Sequence, residues 1–105
     1  MTDKIVVLVT AAKLSECRKI ARHLLQAKLA ACVNITSPVQ SIYRWHGKVV
    51  NGREHLMIIK SRRKLFPEIR EAISKLHPYE VPEIICLPIA EGSQPYLKWM
   101  GENVK

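Results

Sequence analysis

An α+β sandwich in the ferredoxin-like order, βαββαβ, is the fold the sequence predicts, and three observations carry it. Residues 5–9 and 84–87 are apolar runs with no polar centre, the composition of inner strands covered on both faces. Two segments, 15–30 and 66–76, repeat apolar residues at three- and four-residue steps, the period of amphipathic helices. Between them lies a stretch rich in β-branched and aromatic residues with turn signals inside it. The resulting order is strand, helix, strand, strand, helix, strand, an antiparallel sheet with both helices on one face.

The first strand is Ile5, Val6, Val7, Leu8 and Val9, running on to Thr10 and two alanines. In the first helix Cys17, Ile20, Ala21, Leu24 and Leu25 form the apolar face. Arg18, Lys19, Arg22, His23 and Gln26 take the other, and Ser15 is the expected N-cap. Helical periodicity is lost from 31 to 60, where a long hairpin is expected. Its turn is open between Asn51-Gly52, the stronger local signal, and His46-Gly47. Ser37-Pro38 must bend or break one arm, because proline supplies no ladder donor. The second helix carries Phe66, Ile69, Ile73 and Leu76 on one stripe, tolerates Pro67 in its first turn and pairs Glu71 with Lys75. His77-Pro78 ends it. A last strand over 83–89, a break over 92–95 and a short helix over 96–100 complete the chain.

At 105 residues, 48% apolar, the chain is expected to form one domain over 1–105. A chain of that size buries roughly 65% of the surface its unfolded form exposes, enough for a two-layer core. The sheet face away from the helices would then lie bare, and a second copy of the chain is its most economical cover.

Composition excludes several classes. The formal net charge is +8, but the apolar content is too high for a disordered polycation. An RNA-recognition module would stack bases on aromatics of the first and third strands, and residues 5–9 and 56–59 contain none, so sequence-specific nucleic-acid binding is not expected. No apolar run approaches the roughly 20 residues that cross a bilayer. A membrane partner is therefore not expected, nothing after Met1 resembles a signal peptide, and a cytoplasmic protein is expected. Three cysteines at long spacings fit reduced thiols. The short signatures of nucleotide binding, serine hydrolysis and zinc proteolysis are missing, so no enzymatic activity is expected.

Two constellations carry chemistry. In His77-Pro78-Tyr79-Glu80-Val81-Pro82-Glu83 a histidine and two carboxylates share a proline-stiffened loop. His23 is expected on a solvated helix face, and His46 and His55 at exposed hairpin positions. Lys60, Arg62, Arg63 and Lys64 cluster where a strand enters the second helix, a place where an anion would relieve cations facing a helix N-terminus.

Several segments together are specific: Ala30-Ala31-Cys32-Val33-Asn34-Ile35, Ser41-Ile42-Tyr43-Arg44-Trp45-His46-Gly47-Lys48, the histidine loop continuing into Ile84-Ile85, and Tyr96-Leu97-Lys98-Trp99. On these the sequence resembles the CutA divalent-cation tolerance family from about Ile5 to Trp99. The resemblance implies a ferredoxin-like homotrimer whose hairpins reach across to neighbouring subunits, and a role in tolerance of divalent metal ions, copper above all. It favours His46-Gly47 as the turn, with Asn51-Gly52 a bulge in the returning strand. Copper ligation in family members uses a first-strand cysteine and a histidine pair at the end of the second helix. Here those positions read Val9, Leu76 and His77. The implied metal set is therefore His77 with Glu80, Glu83 and Cys32, for copper(II) or another divalent cation, with no cofactor required. The rival expectations are a regulatory trimer of PII type holding a small anion in clefts between subunits through Lys60, Arg62, Arg63 and Lys64, and an adaptor docking a protein or acidic membrane through the basic face of the first helix.

Overall fold

The computed structural model describes residues 2–105. Its elements are β1 (Lys4–Ala11), α1 (Leu14–Gln26), β2 (Cys32–Ile35), β3 (Val39–Trp45), β4 (Lys48–Arg62), a single 3-10 turn (Arg63–Leu65), α2 (Phe66–Leu76), β5 (Ile84–Pro88) and α3 (Gln94–Glu102). The sheet runs β2-β4-β1-β5, every neighbour antiparallel, with β3 continuing the pairing along β4. This is the predicted ferredoxin-like arrangement, its second strand divided into β2 and β3.

Alternation along β1 and β4 sends Ile5, Val7, Val9, Met57 and Ile59 to the helix side, where each is fully buried. Cys17, Ile20 and Leu24 of α1 and Ile69 and Ile73 of α2 meet them. Ser61, also on this side, is tolerated because its hydroxyl donates to the Leu29 carbonyl at 2.6 Å. The opposite face is covered only in part. There α3 lies across β1 and β4, and Arg62 donates to the Gly101 carbonyl at 2.8 Å, a cation at a helix C-terminus. A Cβ on Gly101 would stand 3.0 Å from the Arg62 guanidinium, so a larger residue would press the end of that side chain aside by a few tenths of an ångström. Farther along, Ile85 and Leu87 of β5 remain 45% exposed.

The hairpin turns at His46-Gly47, with φ of 49° and 77°, the double left-handed geometry that matches strand twist. Asn51 and Gly52 stand in an unbroken ladder opposite Ile42 and Ser41, so no bulge lies there. The extra residue is on the other arm. Pairing runs from Cys32 with Lys60 to Ile35 with Met57, then resumes at Val39 with Glu54, leaving Thr36, Ser37 and Pro38 opposite only His55 and Leu56. Proline places the irregularity on its own arm because it cannot donate. Thr36 secures the bend, its hydroxyl accepting from the Leu56 amide at 3.0 Å.

Helix α1 departs from expectation at both ends. Ser15 does not cap it. The cap position is Lys13, whose amide donates to the Glu16 carboxylate at 3.2 Å. The helix stops at Gln26, not Ala30, because Lys28 turns left-handed at φ 58°. Lys28 N–H then donates to Leu25 O at 3.1 Å and Leu29 N–H to Leu24 O at 2.9 Å, the paired bonds of a Schellman terminus, with Leu24 and Leu29 buried together beneath it. Lysine holds a position that glycine fills without strain. Lys28→Gly is expected to raise the unfolding free energy by about 0.5–1 kcal/mol, left-handed relief of about 1–2 kcal/mol exceeding the entropy glycine loses. Urea unfolding at fixed protein concentration measures it, and Lys28→Ala, which keeps the strain, is expected to show no such gain.

Candidate functional site

The groove between the hairpin and the loop after α2 is assembled by strand alternation. Along β3, Ser41, Tyr43 and Trp45 share one face, and the pairing of Val39 with Glu54 puts Glu54 on that same face. The loop of residues 77–83 leans against it. Tyr79 donates its phenol hydrogen to Glu54 Oε2 at 2.8 Å. Burial and the Glu54 carboxylate push the Tyr79 phenol well above its usual range, so it remains a donor. The groove is open to solvent and holds about 690 Å³, lined by Tyr43 and Trp45, by Tyr79, Glu80 and Glu83, and by Glu54.

His77 holds the loop in place from beneath. It is buried, with Nε2 donating to the Thr10 carbonyl at 2.7 Å and Nδ1 accepting from the Tyr79 amide at 3.2 Å. A carbonyl only accepts and an amide only donates, so the hydrogen sits on Nε2 and both ring nitrogens are committed within the chain. The imidazole also packs on the Tyr79 ring, centroids 4.5 Å apart. Its place here is that of a brace.

The sequence-predicted metal set is not gathered in one chain. Glu80 and Glu83 are exposed at the groove, His77 is bonded below it, and Cys32 stands on β2, separated from β1 by the whole of β4. Among the described residues no three His, Cys, Asp or Glu side chains converge to hold a metal ion. The basic cluster is divided as well. Lys60 reaches the Asn34 amide oxygen and lies 3.9 Å from Cys32 Sγ, Arg62 is taken by Gly101, and Arg63 and Lys64 are exposed in the turn before α2. His23 and His46 are exposed as expected, but His55 is half-buried, with Nδ1 2.8 Å from the Thr36 carbonyl at the bend. Glu54 escaped sequence reasoning. The signal was present: once the turn is placed at His46-Gly47, counting back along the ladder sets Glu54 on the face of Tyr43 and Trp45.

The remaining charges of the groove are uncompensated. Ion pairs among the described residues join Lys4 to Asp3, Lys75 to Glu71 and Lys105 to Glu68, and none involves Glu54, Glu80 or Glu83. Three carboxylates therefore face one cavity in a chain of net charge +8. The arrangement attracts cations locally and repels anions.

Comparison with known proteins agrees over nearly the whole chain. The family described as CutA1 divalent ion tolerance protein matches residues 5–103. The divalent-cation tolerance protein CutA of Thermus thermophilus is 49% identical over 98 residues, spanning 93% of this chain and 95% of that one. A chloroplastic CutA protein of Arabidopsis thaliana is 44% identical over 101 residues, which are 96% of this chain but 56% of the plant protein. The solved Thermus structure superposes with a TM-score of 0.94 at 47% identity, covering 97% of this chain and 99% of that one. A structure from Archaeoglobus fulgidus, titled a periplasmic divalent cation tolerance protein, also gives 0.94, at 39% identity over 97% and 99% of the two chains. Among the described residues no helix is long and apolar enough to cross a membrane. The chain belongs to the CutA1 divalent ion tolerance protein family.

Proposed function

We propose that this protein is a cytoplasmic, trimeric binding protein of divalent-cation tolerance, without a catalytic reaction, that takes up the cation through the carboxylates of the groove. The observation that carries the reading is the trio Glu54, Glu80 and Glu83, unpaired around one cavity in a basic chain. Glu80 and Glu83 are the ligands, water or a neighbouring copy fills the other positions, and His77 supports the loop from below. Cys32, paired with Lys60 on the far side of the bend from Glu54, takes no part. Oxygen donors on a solvent-open loop give a weak site, in which copper(II) leads by the general order of divalent affinities and not by design of the pocket. Three free cysteines suit a reducing compartment.

Oligomerisation is supported by what the single chain leaves bare. Ile85 and Leu87 are exposed beside each other's pairing positions on the open sheet face, opposite Leu8 and Val6. Residues 48–54 of β4 pair only with β3, and a two-stranded ribbon is marginal alone in water. A hairpin of this kind gains most by lying on a neighbour. It carries Ile42 and Val49 exposed at 64% and 65%, on the strand face opposite that of Tyr43 and Trp45 by alternation.

Isothermal titration with copper(II) tests the ligands. The pair Glu80→Gln and Glu83→Gln is expected to weaken binding at least tenfold. His77→Ala is expected to keep the stoichiometry while lowering stability by about 2–3 kcal/mol, the loss of two buried hydrogen bonds that leaves the Thr10 carbonyl unpaired. Unchanged affinity in the glutamine pair removes the carboxylates from the site, and lost stoichiometry in a folded His77→Ala protein returns the imidazole to it.

Native mass spectrometry tests the assembly. The expected species has three times the 12.0 kDa chain mass. Ile85→Glu with Leu87→Glu is expected to give a monomer whose melting temperature no longer rises with protein concentration. A wild-type monomer at micromolar concentration would overturn the trimer.

A further inference from the structure

The groove has a wall that a metal ion does not use. Tyr43 and Trp45 stand side by side on β3, 47% and 39% exposed, and Tyr79 closes the opposite side with its ring anchored on His77 and its hydroxyl on Glu54. A hydrated divalent ion gains from oxygen atoms and little from ring faces. Ring faces attract large, weakly hydrated cations, because the aromatic quadrupole is negative over the ring.

We propose that this groove binds a small organic ammonium ion, its alkyl groups against Tyr43 and Trp45 and its charge toward Glu54 and Glu83. Each class of alternative ligand meets a specific obstacle. An anion faces three unpaired carboxylates. A neutral apolar molecule would strip water from those carboxylates without replacing their partner, which is costly. A metal ion takes the carboxylate oxygens and leaves the ring faces of Tyr43 and Trp45 unused. An ammonium ion needs no fixed coordination number, only negative charge beside apolar surface. The cavity, about 690 Å³, falls within the range of roughly 300–1,000 Å³ typical of small-ligand pockets. Glu54 is already oriented, since Tyr79 holds Oε2 and leaves Oε1 free for the ligand. Contact between copies through the free backbone edge of β3 would consume its unpaired amide and carbonyl groups, not the face that bears Tyr43 and Trp45.

The inference shares the groove with the metal reading but stands on the aromatic wall, and the experiment separates the two. Choline is the probe, 3,3-dimethyl-1-butanol is its uncharged counterpart of equal shape, and the readout is the Trp45 indole N–H resonance, with Trp99 of α3 as an internal reference. Choline is expected to shift Trp45 saturably at constant ionic strength, and the neutral alcohol to shift it at least fivefold less. Trp45→Leu and Glu54→Gln are each expected to weaken choline binding at least fivefold, the second read on the intact indole and the first by calorimetry. Copper(II) titration of Trp45→Leu is expected to match the wild type, so loss of choline with copper retained marks the aromatic wall as a separate determinant. Absence of a saturable shift, an equal shift by the alcohol, or a shift confined to Trp99 would overturn the proposal, whatever the copper result.

Discussion

Fifteen consecutive residues of β4 are hydrogen-bonded to three different strands: β1 along residues 55–62, β2 along 57–60 and β3 along 48–54. Every pairing in the sheet except β1 with β5 passes through this one segment. Its register therefore sets the whole molecule. Because side chains alternate with a period of two, a slip of one residue would turn Met57 and Ile59 out of the core and bring Ile58 and Lys60 into it. The fully buried positions of Met57 and Ile59 against α1 and α2 make that slip expensive, on the order of 1.5–3 kcal/mol for each side chain exposed. The core thereby fixes the register at one end of β4, and the backbone carries it without interruption to the hairpin tip.

The groove inherits its geometry from that transmission. Glu54 meets Tyr79 because Glu54 lies an even number of residues from Lys48 on one side and is one residue short of His55, which pairs with Ala11, on the other. The bend at Thr36, Ser37 and Pro38 lets β3 adopt its own register without disturbing β4. Two histidines act as braces near this junction, His55 at the bend and His77 under the loop, each bonded to a backbone carbonyl. Fixing the loop from below leaves Glu80 and Glu83 free at the surface. Bracing the loop from beneath and keeping charge at the rim are compatible, since the carboxylates keep their hydration until a cation arrives.

Net charge changes its meaning in this setting. The excess of seventeen lysines and arginines over nine acidic residues invites a polyanion partner when taken as a number. In the fold Arg62 serves the C-terminus of α3, Lys60 turns to Asn34, and the arginines and lysine of α1 line its outer side. The acidic side chains, although fewer, include three on one concave surface. Local arrangement, not the sum, decides which ion the groove attracts, because screening at physiological salt limits distant charges to roughly 8 Å of influence.

The elements were legible in the residues. Apolar period, proline and glycine act over neighbouring positions, and they place β1, both main helices, the last strand and the break before α3 within a few residues. Helix α1 was read too long because a lysine, not a glycine, takes the left-handed position that ends it. The bulge that the family resemblance implied at Asn51-Gly52 lies instead at residues 36–38, and the strong local turn propensity of Asn51-Gly52 is overridden by the ladder that the core imposes. The histidine loop was visible as chemistry, but not His77's two bonds, nor Glu54 as the partner of Tyr79. Those are relations between residues 67 and 25 positions apart, and they exist only once sheet register is set. Periodicity encodes which face of an element is apolar. Which polar groups then meet across elements is decided by the packed core, where one register satisfies burial and hydrogen bonding together and its neighbours do not.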